Sequence, residues 1–325
     1  MAKKVKVLSI DGGGVYGIVS AMLLAEIERL TGEPISSLFD LVAGTSTGGI
    51  IALGLTMPDA TGEKPRYSAV DMVDLYSTKG DQIFYRSFLH KIFALGNLLD
   101  EKYEAVRIEK TLKKYFGDTK LSETLTDVLI TSYGIERRDA HFFKSHKAKK
   151  QDDRNFYIRD AARATSAPPS YFEPAKIKNV TKSQEFVLVD GGVFANNPAM
   201  CAYAEAKAMH PDMEDIVLVS LGTTGSKKPY IYENAKNWGT AQWMGPLLDV
   251  MFDGVAQTID YQLQQIFTKE YKRGLYARLQ VTTEGKIGFD EPTEINIRLL
   301  KEFAGKYIDS HQDLLESLAG QLLET

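Results

Sequence analysis

A short apolar strand that runs into a glycine turn and leaves it as a helix occurs twice within the first 55 residues, and this repetition narrows the folds open to the chain. Val5 to Ile10 reads as a β-strand, Asp11-Gly-Gly-Gly-Val-Tyr-Gly17 turns the chain, and a helix follows from about Ile18 to Thr31. In that helix Ile18, Met22, Leu23 and Ile27 share a face, and Gly32 with Pro34 beyond it supplies the stop. Asp40 to Thr45 is a second buried strand, after which Ser46-Thr-Gly-Gly leads into an apolar helix through Leu55. Strands joined by helices run parallel, and a parallel sheet needs helices over both of its faces.

The alternation continues. Helical pattern returns around Ala69 to Tyr76, Arg107 to Phe116, Phe156 to Thr165, Gly254 to Phe267 and Ile295 to Leu323, while Asp127 to Tyr133, Phe186 to Asp190 and Asp215 to Leu221 carry strand character. The expectation is an α/β fold with a central, mainly parallel sheet between helical layers. A chain of 325 residues fits one large domain of this class, with a motif-bearing core at about 5–221 and with 222–325 adding C-terminal helices and a strand that complete it. Lys144 to Arg154 is charged and turn-rich, a surface loop too short to link domains.

Several function classes drop out early. A net charge of −4 supplies no field to gather a nucleic acid polymer. The single cysteine, Cys201, has no intramolecular partner and lies among alanines in a helical stretch, where core packing is the expected role. The start MAKKVKVLSIDGGG lacks the apolar run and cleavage site of an export signal, and no apolar stretch approaches the roughly 20 residues needed to cross a bilayer. A cytoplasmic protein with peripheral membrane association is expected, and neither a metal nor a cofactor.

The residues with chemical potential sit at the strand ends. Gly44-Thr-Ser46-Thr-Gly48 fits G-x-S-x-G between a buried strand and a helix, the context in which that motif projects a serine from a sharp turn. A serine capping a helix would look the same if it stood alone. Phe186-Val-Leu-Val-Asp190-Gly191-Gly192 brings a carboxylate to the end of an apolar strand, where it can enter a crevice. Such a carboxylate can take a serine proton if its surroundings exclude water; without Ser46, Asp190 would read as shaping its own turn. Gly12-Gly13-Gly14 can present backbone N–H groups to an oxyanion, each such donor stabilising a transition state by about 3 kcal/mol. The same loop satisfies G-x-G-x-x-G, but Asp11 would face a pyrophosphate and no acidic residue ends the second strand, so a nucleotide cofactor is not expected. The histidines are His90, His141, His146, His210 and His311, and none lies in a recognisable site. A histidine-dependent hydrolase of small esters, with His210 or His311 as base, and a non-catalytic module that binds lipid or a regulatory ligand in the same crevice stay open as alternatives.

Taken in order, these pieces resemble the patatin-like phospholipases. Asp11-Gly-Gly-Gly-Val-Tyr-Gly17 is similar to the family's glycine-rich oxyanion loop, Gly44-Thr-Ser-Thr-Gly48 to its nucleophile elbow, and Asp190-Gly-Gly192 to the motif bearing the dyad aspartate. Ala161 to Pro174, reading AARATSAPPSYFEP, resembles the segment preceding that aspartate, and Asn196-Asn-Pro198 follows it. The resemblance runs from about Val5 to Leu221, with looser echoes at Thr258 to Gln262 and at Tyr276-Ala-Arg-Leu-Gln280. It implies a three-layer α/β/α sandwich and a Ser46–Asp190 dyad that removes acyl chains from phospholipids or galactolipids. One departure is Tyr16, where the family usually carries arginine or lysine. Some bacterial members answer to small signalling nucleotides or host factors, so a small-molecule or protein activator is compatible with the resemblance.

Two segments bear on access to lipid. Gln82 to Leu99 is rich in aromatic and aliphatic residues with Arg86, His90 and Lys91 interspersed, which suits either a lid or a helix packed on the sheet. Lys144, Lys147, Lys149 and Lys150 form a basic cluster that could meet anionic headgroups, although Asp152 and Asp153 beside them suit a solvated loop.

Overall fold

The computed structural model of the chain describes residues 4–83, 98–169, 172–223, 229–271, 274–283 and 293–324. Among these described residues eight strands are seen: β1 (Lys4–Ile10), β2 (Leu41–Gly44), β3 (Asp127–Gly134), β4 (Asp139–Lys144), β5 (Ala175–Lys178), β6 (Glu185–Asp190), β7 (Asp215–Gly222) and β8 (Leu275–Gln280). They form one sheet in the order β5-β6-β3-β2-β1-β7-β8, with β4 paired to β3 outside that path. The run β3-β2-β1-β7-β8 is parallel throughout, whereas β4, β5 and β6 join by antiparallel pairing. The strand following β1 in the chain lies on one side of it and β7 on the other, so the strand order reverses at β1, where open α/β sheets place their ligand crevices.

Register brings the site to this point. Ile10 pairs with Gly44 on one side and Leu221 on the other, so β1, β2 and β7 release their loops at one level. Within β1, Leu8 and Ile10 enter the larger core, while Val5 and Val7 face the smaller one across the sheet. The larger core takes Ile18, Leu23, Leu24 and Ile27 from the helix Gly17–Thr31, with Leu300, Leu315 and Leu318 from the C-terminal helices Glu294–Ser310 and Gln312–Leu323. The smaller core takes Ala202 and Ala206 from the helix Ala199–Met209, with Leu263 and Phe267 from the helix Thr240–Glu270. Each fully buried aliphatic side chain contributes about 1.5–3 kcal/mol, so the sheet is held from both faces. The arrangement is a mostly parallel sheet flanked by helical layers.

Three departures from the sequence reading have identifiable causes. The helix read at 254–267 begins at Thr240, because Pro246 and Gly254 depress local propensity without ending it, while its packed part is the C-terminal half with Leu263 and Phe267. The segment 295–323 is broken at His311, whose ring stacks on Tyr307 at 4.0 Å between centroids. The supposed loop from Lys144 to Arg154 holds the end of β4, a helical turn Ser145–Ala148 and a 3-10 turn Asp152–Arg154. Its lysines do not form one free patch: Lys144 pairs with Glu205 at 2.6 Å and Lys149 with Asp127 at 2.9 Å. Cys201 lies in the helix Ala199–Met209 and packs against the smaller core. Most of Gln82 to Leu99, residues 84–97, lies outside the described residues. Among the described residues no helix is long and apolar enough to cross a membrane.

Candidate active site

The turn after β2 is strained at one residue. Ser46 has φ 53° and ψ −123°, a backbone conformation that L-residues rarely adopt, and the helix Thr47–Thr56 starts immediately behind it. Its two glycine neighbours are required by close approach: a Cβ on Gly44 would stand 2.3 Å from the Gly48 carbonyl oxygen, and one on Gly48 would stand 2.2 Å from that of Ile10. The Ser46 amide donates to Thr165 Oγ1 at 2.9 Å, and its carbonyl accepts from Ile50 N at 3.1 Å. The serine is thereby fixed with its side chain half-buried over the first turn of a helix, whose unpaired amides favour negative charge.

Asp190 reaches the same place from the opposite direction. It ends β6, pairs in register with Ser132 of β3, and is only 4% exposed. The Ser46 side chain stands close enough to its carboxyl to favour the ionised form, and the Gly192 amide donates to Oδ1 at 2.7 Å. Burial pushes the carboxyl up to about 7, against the opposing pull of Ser46 and of the Gly192 amide. Such a carboxyl is far more basic than an exposed aspartate while remaining largely ionised just above neutral pH.

The glycine loop closes a third side. A Cβ on Gly12 would lie 3.3 Å from the Ser46 Cβ, so this backbone passes directly against the serine. The Gly12 amide, however, donates to the Asn196 carbonyl at 2.9 Å, which corrects the expectation that all three glycine amides face the reaction centre. Gly13 and Gly14 have no recorded amide partner among the described residues, and Gly14 takes φ 57°. Gly17 and Gly191 serve close packing, since a Cβ there would meet Thr47 Oγ1 at 2.3 Å and Thr131 Oγ1 at 2.0 Å. Tyr16, where the resemblance would place a cation, turns inward and is 6% exposed in the larger core.

A guanidinium does reach the loop, from β8. Arg278 Nη1 and Nη2 contact the two Asp11 carboxylate oxygens at 3.0 and 2.6 Å, and Nη1 also donates to Ser220 Oγ at 2.7 Å. Asp11 is 2% exposed; burial pushes its carboxyl up, and Arg278 pulls against that. The Thr223 hydroxyl and the Asn196 side-chain amide both donate to the Gly12 carbonyl. Contacts from β8, the end of β7 and the turn after β6 therefore fix the loop that lies over Ser46.

Thr165 and Arg278 were not singled out in the sequence as site residues. Thr165 holds the Ser46 amide, and two residues on, the Ala167 carbonyl accepts the Asp190 amide at 2.9 Å. One short segment thus clips both members of the pair, and its only signal was the AARATSAPP motif. Thr165→Val keeps the shape and removes the acceptor; we expect about a tenfold loss in kcat with little change in melting temperature, checked by steady-state kinetics and thermal unfolding.

The described histidines lie elsewhere. His141 on β4 is enclosed by Phe143, Phe156 and Phe186, His146 faces Glu205 at 3.1 Å, His210 caps the helix Ala199–Met209, and His311 stacks on Tyr307. No hydrogen bond from any of them to Ser46 or Asp190 is recorded.

The comparisons with known proteins bear on the family of the chain. The family model described as patatin-like phospholipase matches residues 8–203. Patatin-like protein 4 of Arabidopsis thaliana is 31% identical, the match covering 94% of this chain and 84% of that protein. Patatin-like protein 2 of the same plant is 32% identical over 86% of this chain and 76% of its own length. A protein of Solanum tuberosum named probable inactive patatin-3-Kuras 1 is 30% identical, covering 92% of this chain and 85% of its own. Elbow, aspartate strand and glycine loop all fall within the matched region, and the chain belongs to the patatin-like phospholipase family.

Proposed function

We propose that this chain is a lipid acyl hydrolase in which Ser46 attacks a fatty acyl ester and Asp190 acts as general base. What carries the reading is the placement of Ser46 beside a buried carboxyl whose affinity for protons is raised to about 7. As Ser46 Oγ forms its bond to the ester carbonyl carbon, the hydroxyl proton passes to Asp190. Charge then gathers on the former carbonyl oxygen, and the Gly13 and Gly14 amides are the donors available to it. Collapse of this intermediate breaks the ester C–O bond, with Asp190 returning the proton to the departing alcohol. Water then attacks the acyl-serine by the same route, leaving a free fatty acid.

Because the base must be ionised, kcat/KM is expected to rise as pH increases through about 7 and to level off above it. A pH-rate profile on a soluble acyl ester checks this; a limb centred near 4 would indicate an exposed carboxylate instead.

The test of the function is fatty acid release from phospholipid vesicles by wild type and by Ser46→Ala, read by mass spectrometry. Wild type should release acid and Ser46→Ala should not. Equal release by both would exclude Ser46 as the nucleophile. No release by wild type, together with failure of a fluorophosphonate to label Ser46, would favour a non-catalytic lipid-binding role. Association with the membrane surface is proposed as peripheral, since the substrate resides there.

A further inference from the structure

Away from the hydrolytic centre, a cavity of about 400 Å³ opens beside β4, within the size range of small-molecule sites. Ser46, Asp190 and the glycine loop take no part in its wall. Its cations are Arg137, Lys144, Lys147 and Arg154, set against the one carboxylate of the lining, Asp139. Lys144 is already paired with Glu205 at 2.6 Å. Arg137, Lys147 and Arg154 have no ion pair recorded among the described residues, so the wall holds more positive charge than Asp139 offsets.

Two further features point inward. His141 belongs to the same wall, and its Nε2 is shut off from solvent without a hydrogen-bond partner. Burial holds the ring at about 4, Arg137 and Arg154 push the same way, and Asp139 opposes them, so the imidazole is neutral at pH 7. Glu136 and Glu185 line an adjoining cleft that His141 also touches, with Glu185 held by Lys176 at 2.9 Å. Secondly, the wall is aromatic on one side: Phe156 and Phe186 pack around His141, and the Arg137 guanidinium lies 4.3 Å from the Phe186 ring centroid. That stack orients a planar donor fork, the geometry suited to bidentate contact with phosphate.

We propose that this cavity binds a phosphate-bearing small ligand, with Arg137, Arg154 and Lys147 holding the phosphate and the His141 ring forming part of the wall. Multiple negative charge favours phosphate over a single carboxylate, because the wall offers two guanidiniums and an ammonium. The cavity exceeds the volume of a phosphate group alone, which leaves space beside the phenylalanines for an organic part. The register connects the site to the hydrolytic centre: His141 pairs with Ser132, and Ser132 pairs on its other side with Asp190. The phosphate could come from a soluble ester or from a phospholipid headgroup, and the test separates the two.

Inorganic pyrophosphate is titrated into the full chain by calorimetry at low ionic strength, with the His141 imidazole followed by NMR. Wild type should bind saturably and shift the His141 signal; Arg137→Gln and Arg154→Gln should each weaken binding roughly tenfold. Fluorophosphonate labelling of Ser46 should match wild type, showing that the variants fold. Lys147→Gln, at an exposed position, serves if an arginine variant does not. Co-sedimentation with phosphatidylglycerol and phosphatidylcholine vesicles then identifies the source. Displacement of wild type from phosphatidylglycerol by pyrophosphate, with weaker vesicle binding by the arginine variants, marks a headgroup site. Loss of pyrophosphate binding with unchanged vesicle binding marks a soluble ligand. Absence of saturable binding, or binding that all three variants retain, overturns the proposal.

Discussion

Asp190→Asn is expected to lower kcat for ester hydrolysis by about 10³-fold or more while leaving KM within a few-fold of wild type. The substitution keeps side-chain shape and an oxygen that can still accept from the Gly192 amide, which lies 2.7 Å from Oδ1. It removes the carboxylate beside Ser46 that can take up a proton. A general base typically contributes 10²–10⁴ in rate, and here no neighbouring imidazole stands by to compensate. Stability should move the other way. The Asp190 carboxyl is raised to about 7 in the folded chain from an ordinary value near 3.8, so the folded state favours its protonated form. That preference is fully present below about 4 and is lost as pH rises through 7, so at pH 8 the ionised carboxylate is a net cost on the order of a few kcal/mol. The asparagine variant should therefore melt at or above the wild-type temperature at pH 8. Unfolding curves recorded beside the kinetics separate a lost base from a damaged fold; an inactive variant that also melts well below wild type would argue for structural disruption.

Arg278→Leu is expected to destabilise the protein by about 3–5 kcal/mol and to lower activity further than the remaining folded fraction explains. The two side chains form a buried, two-pronged pair, and removal of one partner leaves the other charge without compensation. Asp11 also anchors the loop that carries Gly13 and Gly14: its amide donates to the Leu221 carbonyl at 3.0 Å. Urea unfolding of wild type, Arg278→Leu, Asp11→Asn and the double variant forms a cycle in which the double variant should recover part of the loss. A loss under about 1 kcal/mol in the single variant would show that the pair is solvated and does not set the loop. The residue lies outside the matched region 8–203, so the cycle also measures how far the C-terminal part supports the site.

The readable parts of the site share one property. Gly44-Thr-Ser46-Thr-Gly48, Asp11 to Gly17 and Asp190-Gly-Gly192 are contiguous, and each announces its geometry through glycines where a Cβ would collide. The alternating strands and helices of the first 55 residues were equally local, and β1, β2 and their helices lie within a residue or two of the expected bounds. What the sequence does not disclose is contact between distant segments. Arg278 meets Asp11 only because β8 docks beside β7, and Thr165 meets Ser46 only because the helix Ile158–Thr165 ends against the elbow. The Gly12 amide looks free in the sequence and is taken by Asn196 in the fold. In the same way Lys144 and Lys149 look like one basic patch, yet the structure sends them to different carboxylates and turns Lys147 toward the cavity. Tyr16 gave no hint of its burial, because neighbouring glycines mask the periodicity that would assign it to the core.

The most direct test of the serine–aspartate pair is to trap the acyl-enzyme. Wild type is mixed with a slowly deacylating acyl ester, quenched in acid, digested and read by mass spectrometry. The acyl group should appear on the peptide containing Ser46, at close to one per chain, and should be lost from Ser46→Ala. An acyl group found on any other residue, or rapid turnover of the ester by Ser46→Ala, would contradict the account.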